Sequence, residues 1–155
     1  KTRLSNYKEE MKQYYIRLTR KVVSDMFDEC NSLYFNNGIE RPIKFETWTP
    51  YKKCVGMVMP HWSAKKKVYH SSLHISRRYK WTEENLRQVV VHEMIHLAIG
   101  DYLRPLTFIQ RLPLIGHFFI NQHDEQFVTL MNELNDKFGL DIKIRMKHMR
   151  NDFIG

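Results

Sequence analysis

The amino-acid sequence predicts an α+β fold: a small antiparallel sheet of three to four strands, packed with a long N-terminal helix, a central helix and a C-terminal helix. Three observations predict it. Apolar residues recur at spacings of three and four near the start, the middle and the end of the chain. Short alternating runs, separated by turn signals, fall between the first two of these stretches. No internal repeat or low-complexity segment interrupts the 155 residues, so one domain spanning residues 1–155 is expected, with a core of ordinary size.

The first helix is expected over residues 4–29. Leu4, Tyr7, Met11, Tyr14, Leu18, Val22 and Met26 form its apolar stripe, and Lys8, Glu9, Arg17 and Lys21 its polar face. Asn36-Asn37-Gly38 then breaks it. Three strand-like runs follow: Ile43 to Trp48, Cys54 to Met59 closed by Pro60, and Val68 to Ser76. An antiparallel meander is their simplest arrangement. Thr82 is a good N-cap, with Glu83 and Glu84 in the first turn where the helix dipole favours acids; this helix should stop at Gly100. Residues 101–122 read as an irregular, apolar insertion with Pro105 and Pro113. A last helix should begin near Asp124, bury Phe127, Leu130, Met131, Leu134 and Phe138, and end at Gly139. Asp141 to Met146 alternates and reads as a fourth strand or an extended tail.

Composition narrows the classes of function. The hydrophobic share is 43%, and no apolar run reaches the roughly 18 residues of a membrane span, so a membrane role is not expected. The N-terminus KTRLSNYKEE is not a secretory signal, and a chain opening on Lys1 leaves room for residues upstream. Cys30 and Cys54 have no CxxC spacing and read as reduced thiols. A cytoplasmic, nucleoid or nuclear protein is expected, not a secreted one, and a monomer. The net charge of +8 favours acidic partners, nucleic acid foremost.

The chemistry concentrates in His92-Glu93-Met94-Ile95-His96. Residues four apart on a helix lie one turn apart on one face, so His92 and His96 can bind one metal. Glu93 sits about 100° around the axis, placed to reach a water on the metal rather than to ligate it. That is the logic of HExxH: two imidazoles hold zinc, and the glutamate takes a proton from zinc-bound water. Chance produces the pattern at roughly the per cent level in a chain of this kind. Its setting adds weight, because Leu86, Val89, Val90 and Leu97 make the inner face and turn both histidines inward.

A catalytic zinc needs a third protein ligand. HExxHxxGxxH would require histidine at 102, where Tyr102 stands. His117, His123 and Glu125 are the downstream candidates. His123 lies one turn before Phe127 and so shares its inward stripe, which favours it. His117 has no such argument, and Glu125 points about 160° away from the stripe.

These residues resemble a known family. HEMIH, the strand sequence LHIS upstream, and HDEQF leading into a helix that ends NDKFGL are similar to the SprT/Spartan-like metalloprotease domain. FDECNSLYF (Phe27 to Phe35) and Gly56 also have counterparts there, so the resemblance covers about residues 20–142. It implies a minimal zincin-like fold in which His123 is the third zinc ligand, within an element where Asp124 replaces the usual glycine. The loop from Asp101 to Gln122 is longer and more apolar than the family's, the trailing cysteine zinc ribbon is missing, and the first helix extends far back.

The resemblance implies a zinc metallopeptidase, with Zn2+ as cofactor and protein as substrate. Zinc would polarise the scissile carbonyl and Glu93 would activate the zinc-bound water and pass its proton to the leaving amine. Tyr102, His117 and Arg104 are candidates to stabilise the oxyanion. Asp124 or Glu125 could orient an imidazole, with a helix-dipole charge as the simpler reading of both. Spartan-like proteases act on proteins crosslinked to DNA, so the resemblance also implies nucleic-acid contacts. Arg77, Arg78, Lys80 and Trp81 interleave cations with aromatics around Tyr79; Lys65, Lys66 and Lys67 form a basic turn; Lys143, Arg145, Lys147 and Arg150 add charge at the end. The simpler reading makes Tyr79 and Trp81 core residues. The apolar loop is expected to pack on the last helix, with a lid or substrate-binding role as alternatives. Two further functions fit the motif: a non-proteolytic nucleic-acid-binding module with a structural zinc, and a zinc hydrolase of another substrate.

Overall fold

The computed structural model describes residues 15–106, 123–145 and 153–154. Within them the chain is α+β, with three α-helices and a three-stranded mixed sheet. The order is α1 (Arg20–Tyr34), β1 (Lys44–Glu46), β2 (Gly56–Ser63), β3 (Val68–Ile75), α2 (Glu83–Ile99), a 3-10 helix (Asp101–Leu106) and α3 (Glu125–Phe138). None of these helices is long and apolar enough to cross a membrane.

The first helix begins much later than its periodicity suggests. Residues 15–19 are not helical, and the Ile16 amide donates to the Trp81 carbonyl at 2.8 Å in an isolated bridge. Thr19 then caps α1, its hydroxyl accepting from the Val22 amide. Val23, Met26, Phe27 and Cys30 form the buried stripe, and the helix runs on to Tyr34 before Asn36 and Asn37 turn the chain with left-handed φ of 53° and 58°. Residues 4–14 of the expected helix lie outside the described residues.

The sheet is not a meander. β3 is central, antiparallel to β2 from Gly56↔Ile75 to Ser63↔Val68 and parallel to β1 at Phe45↔Leu73. The segment between β1 and β2 therefore crosses from one edge of the sheet to the other. It is pinned on the way, where the Trp48 carbonyl accepts from His74 Nδ1 at 3.1 Å. β2 also continues through Pro60, where it was expected to close; an edge strand tolerates proline because its outer side needs no N–H. The run from Asp141 to Arg145 joins no ladder among the described residues, so the expected fourth strand does not form there; the Asn135 side chain takes both backbone groups of Ile142 instead. Met146 lies outside the described residues.

One core joins sheet and helices. Leu73 and Ile75 of β3, Phe27 of α1, Leu86, Val90, Met94 and Ile95 of α2 and Phe127 of α3 are fully enclosed. α2 is central to it, packing against α1, α3, β2 and β3. Its ends are those the sequence predicts: Thr82 accepts from the Asn85 amide, and Gly100 closes the helix at φ 70°, a left-handed conformation that suits glycine. α3 likewise starts at the Asp124 cap and ends at Gly139, φ 65°. The start of the expected irregular insertion is a 3-10 helix, Asp101–Leu106; residues 107–122 lie outside the described residues.

Candidate metal centre

α2 is buried almost all round in its second half, and that places its polar residues inside the protein. His92, Glu93 and His96 are 5%, 6% and 9% exposed. Buried polar side chains need partners, and these have specific ones. His92 Nδ1 donates to the Lys143 carbonyl at 2.8 Å. His96 Nδ1 lies 2.9 and 2.8 Å from the two carboxylate oxygens of Asp101. Carbonyl and carboxylate only accept, so both rings carry hydrogen on Nδ1, and in the neutral form each offers Nε2 as its lone pair.

His123 arrives from the turn before α3. Its Nε2 lies 3.1 Å from His92 Nε2. One ring nitrogen from each of His92, His96 and His123 fits within a span of 4.8 Å, so the three can hold a metal ion. The Phe127 ring forms a common floor, with centroids 4.9, 4.6 and 4.8 Å from those of His92, His96 and His123. An apolar floor and two fixed tautomers make a preorganised set of imidazole donors for a metal ion.

Burial and neighbouring charge set the protonation of the metal-free centre. Burial holds His92 down to about 3, helped by the charge of His96 and opposed by the Lys143 carbonyl. Burial also lowers His123, again with His96. For His96 burial works downward, but Asp101, Glu93 and Asp124 outweigh it and its value is raised. Burial pushes Glu93 up to about 7, Asp101 adding to the rise and His96 opposing it. Two neutral imidazoles and a carboxylate poised near neutrality are suited to ligation and to proton transfer respectively.

Gly56 of β2 faces Glu93. A Cβ there would stand 3.3 Å from Glu93 Oε1 and 3.0 Å from Val89 Cγ1, so glycine leaves the carboxylate its room. The resemblance marks Gly56 as a family position, and the close approach is a physical reason for it.

The other candidates fall elsewhere. Glu125 is exposed on the first turn of α3, away from the imidazoles, and His117 lies outside the described residues. Asp124 is the α3 N-cap, accepting from the Phe127 amide at 3.2 Å. Tyr102 follows Asp101 in the 3-10 helix and is half-buried, its pKa raised by burial and by Glu40. Asp101 and the Lys143 carbonyl were not anticipated. An acid just beyond the glycine cap, five residues after His96, was a legible signal for Asp101; a backbone carbonyl has none.

The basic candidates divide. Lys65, Lys66, Lys67, Arg77, Arg78 and Lys80 are exposed, as are Lys143 and Arg145; Lys147 and Arg150 lie outside the described residues. Trp81 is corrected: it is 1% exposed and its indole N–H donates to the Ser76 carbonyl at 2.8 Å, so no base can stack on it. Tyr79 is buried too, its hydroxyl donating to the Lys53 carbonyl.

Comparison with known proteins gives one family. The family model of the SprT-like family matches residues 23–148, a span containing the three histidines, Glu93, Asp101 and Asn135. No curated protein matches the chain.

Proposed function

Because this chain belongs to the SprT-like family, we propose that it is a zinc metallopeptidase, with His92, His96 and His123 as ligands and Glu93 as general base. One observation carries the reading: three imidazole nitrogens converge within 4.8 Å beside a buried carboxylate whose pKa is raised to about 7. A structural zinc site has four protein ligands, whereas three leave a position for water or substrate. When bound, zinc supplies Lewis acidity, making water more acidic and a carbonyl more electrophilic.

The protein's own residues supply the rest. Glu93 accepts a proton from the attacking water and returns it to the departing amine. Asp101 and the Lys143 carbonyl keep His96 and His92 in the tautomer that offers Nε2. Phe127 and the surrounding core exclude water from the inner side of the site. Tyr102, next to Asp101, is the nearest candidate in sequence for stabilising the oxyanion.

A direction toward DNA-bound or DNA-crosslinked proteins rests on charge. The net +8 and the exposed Lys65–Lys67 turn, Arg77, Arg78 and Lys80 support contacts with phosphates. The test is cleavage of an unfolded protein and of a DNA-crosslinked protein by the zinc-loaded chain and by its Glu93→Gln variant. Equal rates for the two enzymes would remove the peptidase reading; equal rates for the two substrates would remove the DNA direction alone.

A further inference from the structure

We propose that Asn135 is a positioning residue for His92, acting through the chain segment that follows α3. The inference rests on the reading of His92 as a metal ligand, and it adds a residue that touches none of the three histidines. The Asn135 carboxamide pairs with one residue of that segment on both sides: the Ile142 amide donates to Oδ1 at 2.8 Å, and Nδ2 donates to the Ile142 carbonyl at 3.0 Å. A donor and an acceptor offered together are what a neighbouring strand presents to a residue in an antiparallel ladder. Here a side chain takes the place of the strand, which accounts for an alternating sequence that joins no ladder among the described residues.

The consequence follows from where two successive residues send their backbone groups. Both groups of Ile142 go to Asn135 on α3, and the next carbonyl, of Lys143, goes to His92 on α2, the opposite-sided alternation that a strand also shows. With Ile142 fastened toward α3 and its side chain 3% exposed in the core, the Lys143 carbonyl is sent toward α2. There it accepts from His92 Nδ1 at 2.8 Å. Fixing that acceptor fixes the hydrogen on Nδ1 and the direction in which Nε2 points. The residue type matters: a carboxylate at 135 could accept from the Ile142 amide but would set an oxygen against the Ile142 carbonyl.

The fold contains its own control. Asn31 holds Ile39 by the same two bonds, Nδ2 to the Ile39 carbonyl at 3.0 Å and the Ile39 amide to Oδ1 at 3.1 Å. That clamp closes the end of α1, and among the described residues the segment it holds makes no hydrogen bond to the three imidazoles.

The experiment compares Asn135→Asp with Asn31→Asp in the whole chain. Zinc affinity is measured by chelator competition, and the visible spectrum of the cobalt-substituted protein is recorded. Both variants should melt earlier than the parent. Only Asn135→Asp should weaken zinc binding, by roughly 10–100-fold, the usual effect of losing an outer partner, and only it should change the cobalt spectrum. Asn135→Asp binding zinc within twofold of the parent, or Asn31→Asp weakening it as much, overturns the proposal. Should Asn135→Asp fail to fold, Asn135→Ser takes its place, and imidazole nitrogen NMR of the zinc-loaded protein decides: the His92 Nδ1–H signal should shift or broaden relative to the parent, and a parental signal overturns the idea. A parent that binds zinc through His92 but cleaves no peptide sinks the peptidase reading and leaves this one standing. A parent that takes up no zinc overturns both.

Discussion

His123 meets His92 nitrogen to nitrogen, Nε2 to Nε2, at 3.1 Å across 31 residues of sequence. Because His92 carries its hydrogen on Nδ1, the metal-free pair is satisfied only when His123 donates from Nε2. Two nitrogens bound tetrahedrally at 2.0–2.1 Å would stand about 3.3 Å apart. The contact therefore brings two of the three donors side by side, where His92 and His123 would both hold a metal ion.

His123→Ala is expected to weaken zinc binding by more than the roughly 10–100-fold typical of an outer partner. Elemental analysis and chelator competition measure it, and parental zinc content and affinity in the variant would exclude His123 as a ligand.

Glu93→Gln should keep its zinc and lose about 10²–10⁴-fold in peptide hydrolysis. It should also change stability against pH in metal-stripped protein. Folding raises the Glu93 pKa from 4.5 to about 7, so its contribution is full below pH 4.5 and is lost as pH rises through 7. The glutamine variant escapes that loss and should gain on the parent by on the order of 3 kcal/mol between pH 4 and pH 8.5. Urea unfolding at the two pH values tests this; a constant difference would mean that Glu93 is not perturbed.

Asp101→Ala removes the only acceptor that His96 Nδ1 has among the described residues. Zinc affinity should fall by roughly 10–100-fold with the ligands intact. Isothermal titration checks it, and an unchanged dissociation constant would reduce Asp101 to a packing residue.

Gly56→Ala puts a methyl 3.0 Å from Val89 Cγ1, where Val89 is 1% exposed and has little room to yield. A cost of about 1–3 kcal/mol is expected from overpacking. Hydrolysis should fall as well, because the same methyl stands 3.3 Å from Glu93 Oε1. Denaturant midpoints and kcat report the two effects, and a variant that is parental in both refutes the crowding argument.

Charge reversal of Lys65, Lys66 and Lys67 to Glu should weaken binding to duplex DNA and flatten its salt dependence by about 2–3 logarithmic units per unit of log salt. Fluorescence anisotropy over a salt series reads both. A parent whose binding does not respond to salt would remove the electrostatic role of this turn.

Local signals made much of this fold legible. Thr82 and Gly100 bracket α2 because caps act within one turn, and Asp124 and Gly139 do the same for α3. His123 stands before the Asp124 cap, whose backbone is extended, so the helix phase of Phe127 does not reach it; its inward position rests on contacts with His92 and the Phe127 ring. The start of α1 was not legible, since its periodicity continues into residues whose backbone bonds to Trp81, far along the chain. Alternation showed the strands but not their neighbours, and β1 sits beside β3. Interleaved cations and aromatics also look alike whether a ring faces water or core, and Trp81 faces the core.

The site joins its two sides unequally. His92, Glu93, His96 and Asp101 travel together on one helix and the residue beyond its cap, whereas His123 comes from the far side of residues 97–122. A metal shared between them would close those residues into a ring, much as a disulfide does. In general the cost of closing a loop grows slowly, by about 0.6 kcal/mol for each doubling of its length. On that scaling, the number of residues between His96 and His123 would matter little to the cost of closure. An ion held by all three histidines would thus be a clasp on the chain as well as a centre for chemistry.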